Sequence, residues 1–363
     1  SNEQQMLQES ARRFFADRHP IRRARLALPW SDALQRELWR DMAGMGWLGL
    51  LAPESQAGLQ LGMCEAFLIA EAAGRQLLNL PFAASAVLLP LVHAAAGMSA
   101  GDLDDWIDEV VAGRSCINVT TMRSLVMEHE RQCSHQMFLR GMTDRADKVQ
   151  WTMLPSGTED GHQADRPGLS MFDPTLRCSA IGPDFPDKPP GSKLNWHGLT
   201  IGESDRSFIL DCYRMTRLGE ILGAAATSLA MSCDYARQRE QFGKCIGSYQ
   251  AIKHILADAW MALDNARLAA LYAVASLDGR LSDSAFACAA ARLTSIQAGL
   301  RIGRDAIQIH GGIGFTWEHD AHLFLKRIHH VSALLGGEEA AYATLEEAIE
   351  NQQVQPSRSR GFP

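Results

Sequence analysis

Apolar residues recur at helical spacing over the first and last thirds of the chain. Leu34, Leu38 and Met42 follow one another every four residues, which is the spacing of one face of an α-helix, and Ser31 is the expected N-cap. An alanine-rich run at 266–275 would let helices pack closely. The longest predicted stripe consists of Ile252, Ile255, Leu256, Ala259, Trp260, Leu263, Ala266 and Ala270. We therefore predict helices in both thirds, with a helical bundle in the last.

The middle third has a different pattern. Glycine, proline and aspartate are dense there, as in residues 182–191, and the apolar runs shorten to the length of a strand. The predicted fold class is therefore mainly α with a central β domain. We predict an N-terminal α-helical domain at 3–114, a small β-barrel or sheet domain at 115–205, and a C-terminal four-helix bundle domain at 206–350.

Composition narrows the function further. A chain of 363 residues is long enough for two or three domains. Its 42 acidic and 35 basic residues give a net charge of −7, which disfavours nucleic acid as a partner. The eight cysteines include no CxxC pair, and no apolar run reaches about 18 residues. We expect a cytoplasmic protein without a membrane span.

Two motifs in the last third carry the chemical information. Residues 307–318 read Ile-Gln-Ile-His-Gly-Gly-Ile-Gly-Phe-Thr-Trp-Glu, and glycines there would let the backbone approach a bulky ligand. Residues 235–243 read Tyr-Ala-Arg-Gln-Arg-Glu-Gln-Phe-Gly. Together these blocks resemble the acyl-CoA dehydrogenase family, whose C-terminal helical domain carries YxxxRxQFG and QxxGGxGF. The resemblance runs from about Tyr213 to Tyr342, and residues 48–74 resemble the family's amino-terminal domain.

The resemblance implies FAD as the cofactor. Arg239 is a planar cation suited to a pyrophosphate, and Phe242 offers a flat apolar surface to a ring system. In the family these blocks contact the pyrophosphate and adenine of an FAD that a neighbouring subunit mainly binds. The predicted cofactor contacts are Arg239, Gln241, Phe242, Gln308, Gly311 and Gly312. The alternative is that Arg239 lies on a solvated helix end and the glycines only terminate a helix.

The catalytic base is harder to assign. Family members abstract a proton with a glutamate that precedes a glycine, and the same count from the GGxGF block reaches Leu335, which cannot accept a proton. A minority of the family places the base on an earlier helix, where the count reaches Tyr213. Glu338 and Glu339 are the candidate catalytic residues, although both would also suit the amino-terminal end of a helix.

Weaker candidates for the base also occur. Glu220 lies seven residues after Tyr213, and His329 or His330 could replace a carboxylate. The middle domain lacks the Thr-Glu-Pro…Gly-Ser-Asp and Trp-Ile-Ser/Thr segments that contact the flavin ring and the CoA ester in typical members. The contacts to the flavin ring therefore cannot be assigned from the resemblance.

One cluster has metal-ligand residue types. It contains Glu128, His129, Glu130, Cys133 and His135, but the spacing matches no familiar zinc pattern. We interpret the cluster as a polar surface turn and expect no metal.

Three functions remain open. The main prediction is an FAD-dependent acyl-CoA dehydrogenase-like flavoprotein that oxidises an acyl-CoA or acyl-carrier thioester and passes electrons to a transfer partner. The second is a non-catalytic partner subunit of a mixed acyl-CoA dehydrogenase assembly. The third is a flavoprotein of this fold with a different reaction. Each of the first two requires an oligomer, either a homodimer or homotetramer or a mixed one.

Overall fold

The structure is a computed structural model that describes most of the chain. The described residues are 1–97, 103–121, 126–127, 129, 132–140, 149–155, 173–176, 179–180 and 197–354. Within them, none of the helices is both long and apolar enough to cross a lipid bilayer.

Helices form the amino-terminal part of the molecule. They are α1 (Asn2–Arg18), α2 (Ile21–Ala24), α3 (Ala33–Gly44), α4 (Met63–Gly74), α5 (Leu89–Ala96) and α6 (Asp104–Val111). A π-helical segment, Ala83–Leu88, runs directly into α5. Ser1 caps α1 in a capping box with Gln4. The N-cap of α3 is Asp32 and not the predicted Ser31, because the Asp32 carboxylate accepts a hydrogen bond from the Leu34 amide at 2.8 Å.

Short strands follow. They are β1 (Ile117–Thr121), β2 (Val126–Met127), β3 (His135–Arg140), β4 (Val149–Pro155), β5 (Ser179–Ala180) and β6 (His197–Leu199). The main sheet has the order β1-β3-β4-β6, in which β1 and β3 are parallel and the other pairs are antiparallel. Strands β2 and β5 form a separate antiparallel pair.

Long helices form the carboxyl-terminal part. They are α7 (Glu203–Gln238), α8 (Gln250–Asp278), α9 (Ser284–His310), α10 (Ala321–Leu334) and α11 (Gly337–Val354). Between α7 and α8 lies a hairpin of β7 (Glu240–Gln241) and β8 (Lys244–Cys245). Helix α7 packs against α8, α9 and α10, and against α4 of the amino-terminal part. Gly223 is required at the last contact, because a Cβ atom there would overlap the Glu71 carbonyl oxygen.

The predicted fold class is confirmed: the fold is mainly helical with a small central sheet, although the domain boundaries at 3–114, 115–205 and 206–350 stay a prediction. The predicted stripe on α8 was wrong at Trp260, which is 60% exposed, while Ala259, Ala266 and Ala270 are buried. Trp260 lies about 100° around the helix axis from Ala259 and so falls outside the buried face.

Glu128 and Glu130 of the predicted polar surface turn lie outside the described residues. The prediction of a surface turn was wrong at His129 and Cys133, which are 3% and 1% exposed. Among the residues that the structure does describe, no group of three or more histidine, cysteine or acidic side chains could hold a metal ion. The cysteines in the described ranges are free thiols.

A buried arginine joins the three parts of the molecule. Arg327 on α10 pairs with the Asp173 carboxylate and donates hydrogen bonds to the Leu78 carbonyl at 2.8 Å and to Thr175 Oγ1 at 2.6 Å. The Arg327 and Asp173 side chains are 1% and 0% exposed. Burial alone would raise the pKa of Asp173, but the charge and hydrogen bonds of Arg327 hold that pKa below its ordinary value.

We expect Asp173→Asn to lower the free energy of unfolding by about 3–5 kcal/mol, because it leaves the buried Arg327 charge without a counter-ion. Urea unfolding at pH 7 measures the change. The matched control is Asp234→Asn, which removes an exposed pair with Arg237 and should have an effect close to zero.

The Asp173→Asn variant should also change how the free energy of unfolding depends on pH. A carboxylate whose pKa is depressed on folding stabilises the protein above its unfolded pKa of about 3.9, and this stabilisation is lost as the pH falls through the folded pKa. Asp173→Asn should therefore lose part of the acid dependence of stability. An acid dependence identical to that of the wild-type protein would contradict the assignment.

Candidate functional site

The two motifs of the last third meet at the ends of α7 and α9. Tyr235, in the last turn of α7, stacks on His310, the final residue of α9, with ring centroids 4.6 Å apart and an interplanar angle of 29°. The His319 ring lies 4.3 Å from the His310 ring. His310 is 3% exposed, and its Nδ1 lies 2.7 Å from the Ala306 carbonyl oxygen. Ring stacking therefore brings the Arg239 block and the glycine block together, a contact that sequence reasoning missed although both rings belong to the motifs.

The Arg239 block forms a tight hairpin. Helix α7 ends before Arg239, whose backbone is extended, and β7 and β8 follow at once. The two residues between the strands, Phe242 and Gly243, have φ values of 54° and 76°. Positive φ at both central residues is the signature of a type I′ turn. Phe242 carries a cost of roughly 1–2 kcal/mol for this conformation.

The Phe242 ring points away from the protein and is 93% exposed. A solvated helix end accounts for an exposed Arg239 but not for a strained turn that holds a phenylalanine in water. Strain of this kind is found where a ligand or partner uses the geometry. The hairpin therefore resembles half of a binding site that another molecule completes.

The glycine block lies open beside this hairpin. Gly311 has a φ of 62°, and a Cβ atom added at Gly311 or Gly312 would meet nothing within 4 Å. Gln308 is exposed at the end of α9. Within the described part of the chain, neither the Arg239 guanidinium nor the Gln308 amide has a side-chain partner. An unpaired planar cation, a free amide, open glycine backbone and an exposed ring fit the pyrophosphate and adenine of FAD.

The expected position of the catalytic base is structurally intact but lacks a proton acceptor. Leu335 is 7% exposed and follows the last residue of α10. Its carbonyl accepts a hydrogen bond from Arg292, which also donates to Thr344 Oγ1 at 3.1 Å. Gly336 has a φ of 85°, so the turn needs glycine there. The turn is thus fixed by Arg292 and Gly336, independently of the side chain at position 335.

The two candidate glutamates lie in the first turn of α11. Glu338 is half-buried, and its Oε2 lies 3.5 Å from Gln297 Nε2, while Glu339 is exposed. Their position at a helix amino terminus gives both a favourable structural role. Their role as catalytic residues stays a prediction.

The structure also places the other titratable groups that were candidates for the base. Tyr213 is half-buried on α7, and Glu220 lies 3.5 Å from Arg217. Burial, followed by the charge of Arg304, lowers the pKa of His329. Sequence reasoning missed Asp211, a largely buried carboxylate whose pKa is raised by burial although Arg214 pairs with it at 2.9 Å. The only sequence signal for Asp211 was its location two residues before Tyr213. Its ion pair with Arg214 already accounts for a carboxylate at this point of α7.

Two family models and several known proteins match this chain. The family model of the acyl-CoA dehydrogenase C-terminal domain matches residues 206–349, and that of the acyl-CoA dehydrogenase N-terminal domain matches residues 1–98. The acyl-CoA dehydrogenase IpdE2 of Mycobacterium tuberculosis is 28% identical over 353 residues, which cover 96% of this chain and 97% of the relative. The acyl-CoA dehydrogenase FadE34 of the same organism is 39% identical over 140 residues, 38% of this chain, but the match spans only 20% of that relative's length.

Solved structures share the fold over nearly the whole chain. A variant of the Tcur3481-Tcur3483 steroid ACAD has a TM-score of 0.75 at 22% identity and covers 97% of this chain and 99% of its own. The ChsE4-ChsE5 complex of Mycobacterium tuberculosis has a TM-score of 0.73 at 21% identity, with 98% and 99% covered. PigA with FAD and proline has a TM-score of 0.75 at 17% identity, with 97% and 98% covered.

We expect Arg239→Ala to weaken FAD retention without unfolding the protein, because one charge-assisted contact to a pyrophosphate is lost. The expected loss is about 1.5–3 kcal/mol, roughly one to two decades in affinity. Flavin absorbance of the FAD-containing oligomer, formed by this chain or with a co-purified partner, measures the loss after dialysis against graded FAD concentrations. Arg237→Ala is the matched control, since Arg237 is exposed on the same helix end and already pairs with Asp234. Equal flavin retention in the two variants would count against the site.

Proposed function

Because the chain belongs to the acyl-CoA dehydrogenase family, we propose that it is one subunit of a mixed acyl-CoA dehydrogenase assembly. In this assembly it contributes contacts to an FAD that a partner subunit mainly holds, and the partner supplies the catalytic glutamate. The observation that carries the proposal is a contrast within one chain. The glycine block that would face FAD is open and the Phe242 ring of the hairpin is exposed, whereas the expected base position holds a buried leucine.

The Arg239 hairpin and the glycine block, which form the outward half of the site, would hold the cofactor. Arg239 would neutralise pyrophosphate charge, the Gln241 and Gln308 amides would hydrogen-bond polar groups, and the Phe242 ring would cover the adenine. Gly311 and Gly312 would let the cofactor approach the backbone. When bound, FAD supplies the acceptor for hydride from the β carbon of the acyl thioester. These contacts position the cofactor and require no acid or base from this chain.

The inward half of the site, the turn at Leu335, argues against catalysis by this chain alone. A leucine cannot take the proton that the reaction releases, and Glu338 lies past the turn on a different helix, in the first turn of α11, where its carboxylate faces Gln297. The middle part of the chain also lacks the segments that contact the flavin ring in typical members. A homomeric dehydrogenase whose base is Glu338 is the second candidate, because Glu338 is half-buried beside the expected turn.

The comparisons support the choice of a mixed assembly. Two of the structures with this fold are named after two chains each, Tcur3481-Tcur3483 and ChsE4-ChsE5. One of them is described as a steroid ACAD, so a steroid-derived acyl-CoA is the first substrate to test beside a fatty acyl-CoA. The support for a mixed assembly comes from the names of these structures. A steroid-derived or fatty acyl-CoA as the substrate of this chain is part of the proposal.

The proposal is tested by comparing the chain alone with the chain co-expressed with a family member that carries the glutamate. We expect the chain alone to retain well below one FAD per subunit and to leave its flavin oxidised when acyl-CoA is added without oxygen. The co-purified pair should retain FAD and bleach. A homomer with one FAD per chain that bleaches on its own would refute the proposal, and loss of that bleaching in Glu338→Gln would then favour the second candidate.

We also expect Leu335→Glu to remain inactive in the chain alone, because it restores a carboxylate beside Gly336 but not the missing flavin-ring contacts. Anaerobic flavin bleaching by acyl-CoA, with FAD added in excess, is the measurement. Leu335→Gln is the control, since it has nearly the same shape without a base. Bleaching by the glutamate variant alone would mean that only the base had been lost and that the rest of the site is competent in this chain.

A further inference from the structure

A buried carboxylate lies where α1, α4 and α8 meet. The Glu71 side chain is 2% exposed, and Arg267 Nε lies 3.0 and 3.2 Å from its two oxygens. Gln8 Nε2 donates to Glu71 Oε2 at 2.7 Å. Two donors therefore already serve both oxygens of this carboxylate, and one cation already balances its charge.

Two further arginines approach the same carboxylate without bonding to it. Arg12 Nη2 lies 3.7 Å and Arg75 Nη2 lies 3.9 Å from Glu71 Oε1, beyond the range of a good hydrogen bond. The Nε atoms of Arg12 and Arg75 are buried without a hydrogen-bond partner in the structure. Buried donors of this kind are costly, because they have lost water and gained nothing in return.

The charges at this junction do not balance. Three guanidinium groups surround one carboxylate, which leaves two positive charges in excess. Burial and then the charge of Arg12 lower the pKa of Arg75, as expected for cations held together away from bulk water. The Nε atoms are buried, but the side chains of Arg12 and Arg75 as a whole are 38% and 28% exposed, so a small solute can reach the junction from solvent.

We propose that this junction binds a phosphate-type dianion, held between the guanidinium groups of Arg12 and Arg75. A dianion matches the excess of two charges, and a tetrahedral oxyanion has enough acceptors for two planar forks, whereas a monocarboxylate would leave one charge and several donors unmatched. The site uses α1, α4 and α8 and shares no residue with the Arg239 block. It is therefore independent of the proposed function.

Inorganic phosphate is the probe for the test. The melting temperature of the whole chain is measured in phosphate, in sodium acetate and in sodium chloride at equal pH and ionic strength. We expect saturating phosphate to raise it on the order of 2–4 °C above chloride, and acetate to behave as chloride does. Equilibrium dialysis with labelled phosphate gives the affinity directly.

Arg12→Gln should lower the phosphate affinity at least about tenfold and abolish the thermal shift, because it removes one guanidinium from the exposed helix α1. Arg12→Lys should recover only part of it, since lysine retains the charge without the planar fork. The matched control is Arg13→Gln, the next residue on α1, which is 80% exposed and pairs with Glu9. A thermal shift of the same size in Arg12→Gln as in Arg13→Gln, or an acetate effect equal to that of phosphate, would overturn the proposal.

Discussion

One buried interaction ties α10 to the other two parts of the molecule: the pairing of Arg327 with Asp173, Thr175 and the Leu78 carbonyl. This guanidinium contacts residues from the helical amino-terminal part and from the middle part, while it belongs to the carboxyl-terminal part. Helix α10 begins six residues after the GGxGF segment ends at Phe315, and it ends just before Leu335. The glycine block and the turn at Leu335 therefore lie at the two ends of a helix that Arg327 ties to the other two parts of the molecule. A buried pair of this kind imposes geometry more than it adds stability, since both charges must first lose their water.

The candidate site divides into an outward and an inward half, and the physical properties of the two halves differ. The outward half consists of an exposed phenylalanine in a strained turn, an unpaired arginine and open glycines. These groups gain little within one chain, so their arrangement makes chemical sense only with a second molecule. The inward half is a packed turn in which Arg292 bonds the Leu335 carbonyl. The stack of Tyr235 on His310 holds the outward half together without depending on the turn.

The sequence was sufficient to predict the properties that depend on local spacing. Helical periodicity predicted the mainly α fold with a central sheet. The two motifs marked the segments that meet at the ends of α7 and α9, although not the stacked rings of Tyr235 and His310 that join them. Sequence reasoning placed the N-cap of α3 one residue too early, at Ser31 instead of Asp32, and it included the exposed Trp260 in the apolar stripe of α8. In both places the neighbouring residue along the chain has a similar polarity. Sequence reasoning could not find the Arg327 pair or the Glu71 junction. Their partners lie 154 and 196 residues apart along the chain, and a charged residue carries no sign of such a distant partner.

The turn at Leu335 explains how the family's fold is kept with a leucine at the expected base position. Arg292 contacts a backbone carbonyl, and Gly336 provides a positive φ, so neither needs a particular side chain at position 335. A glutamate there would add a charge to a buried position near Arg292, whereas a leucine adds apolar contact and no desolvation cost. The substitution is therefore compatible with a stable fold and an unchanged outward half. A subunit that only has to present cofactor contacts to a partner needs those two properties and no proton acceptor of its own.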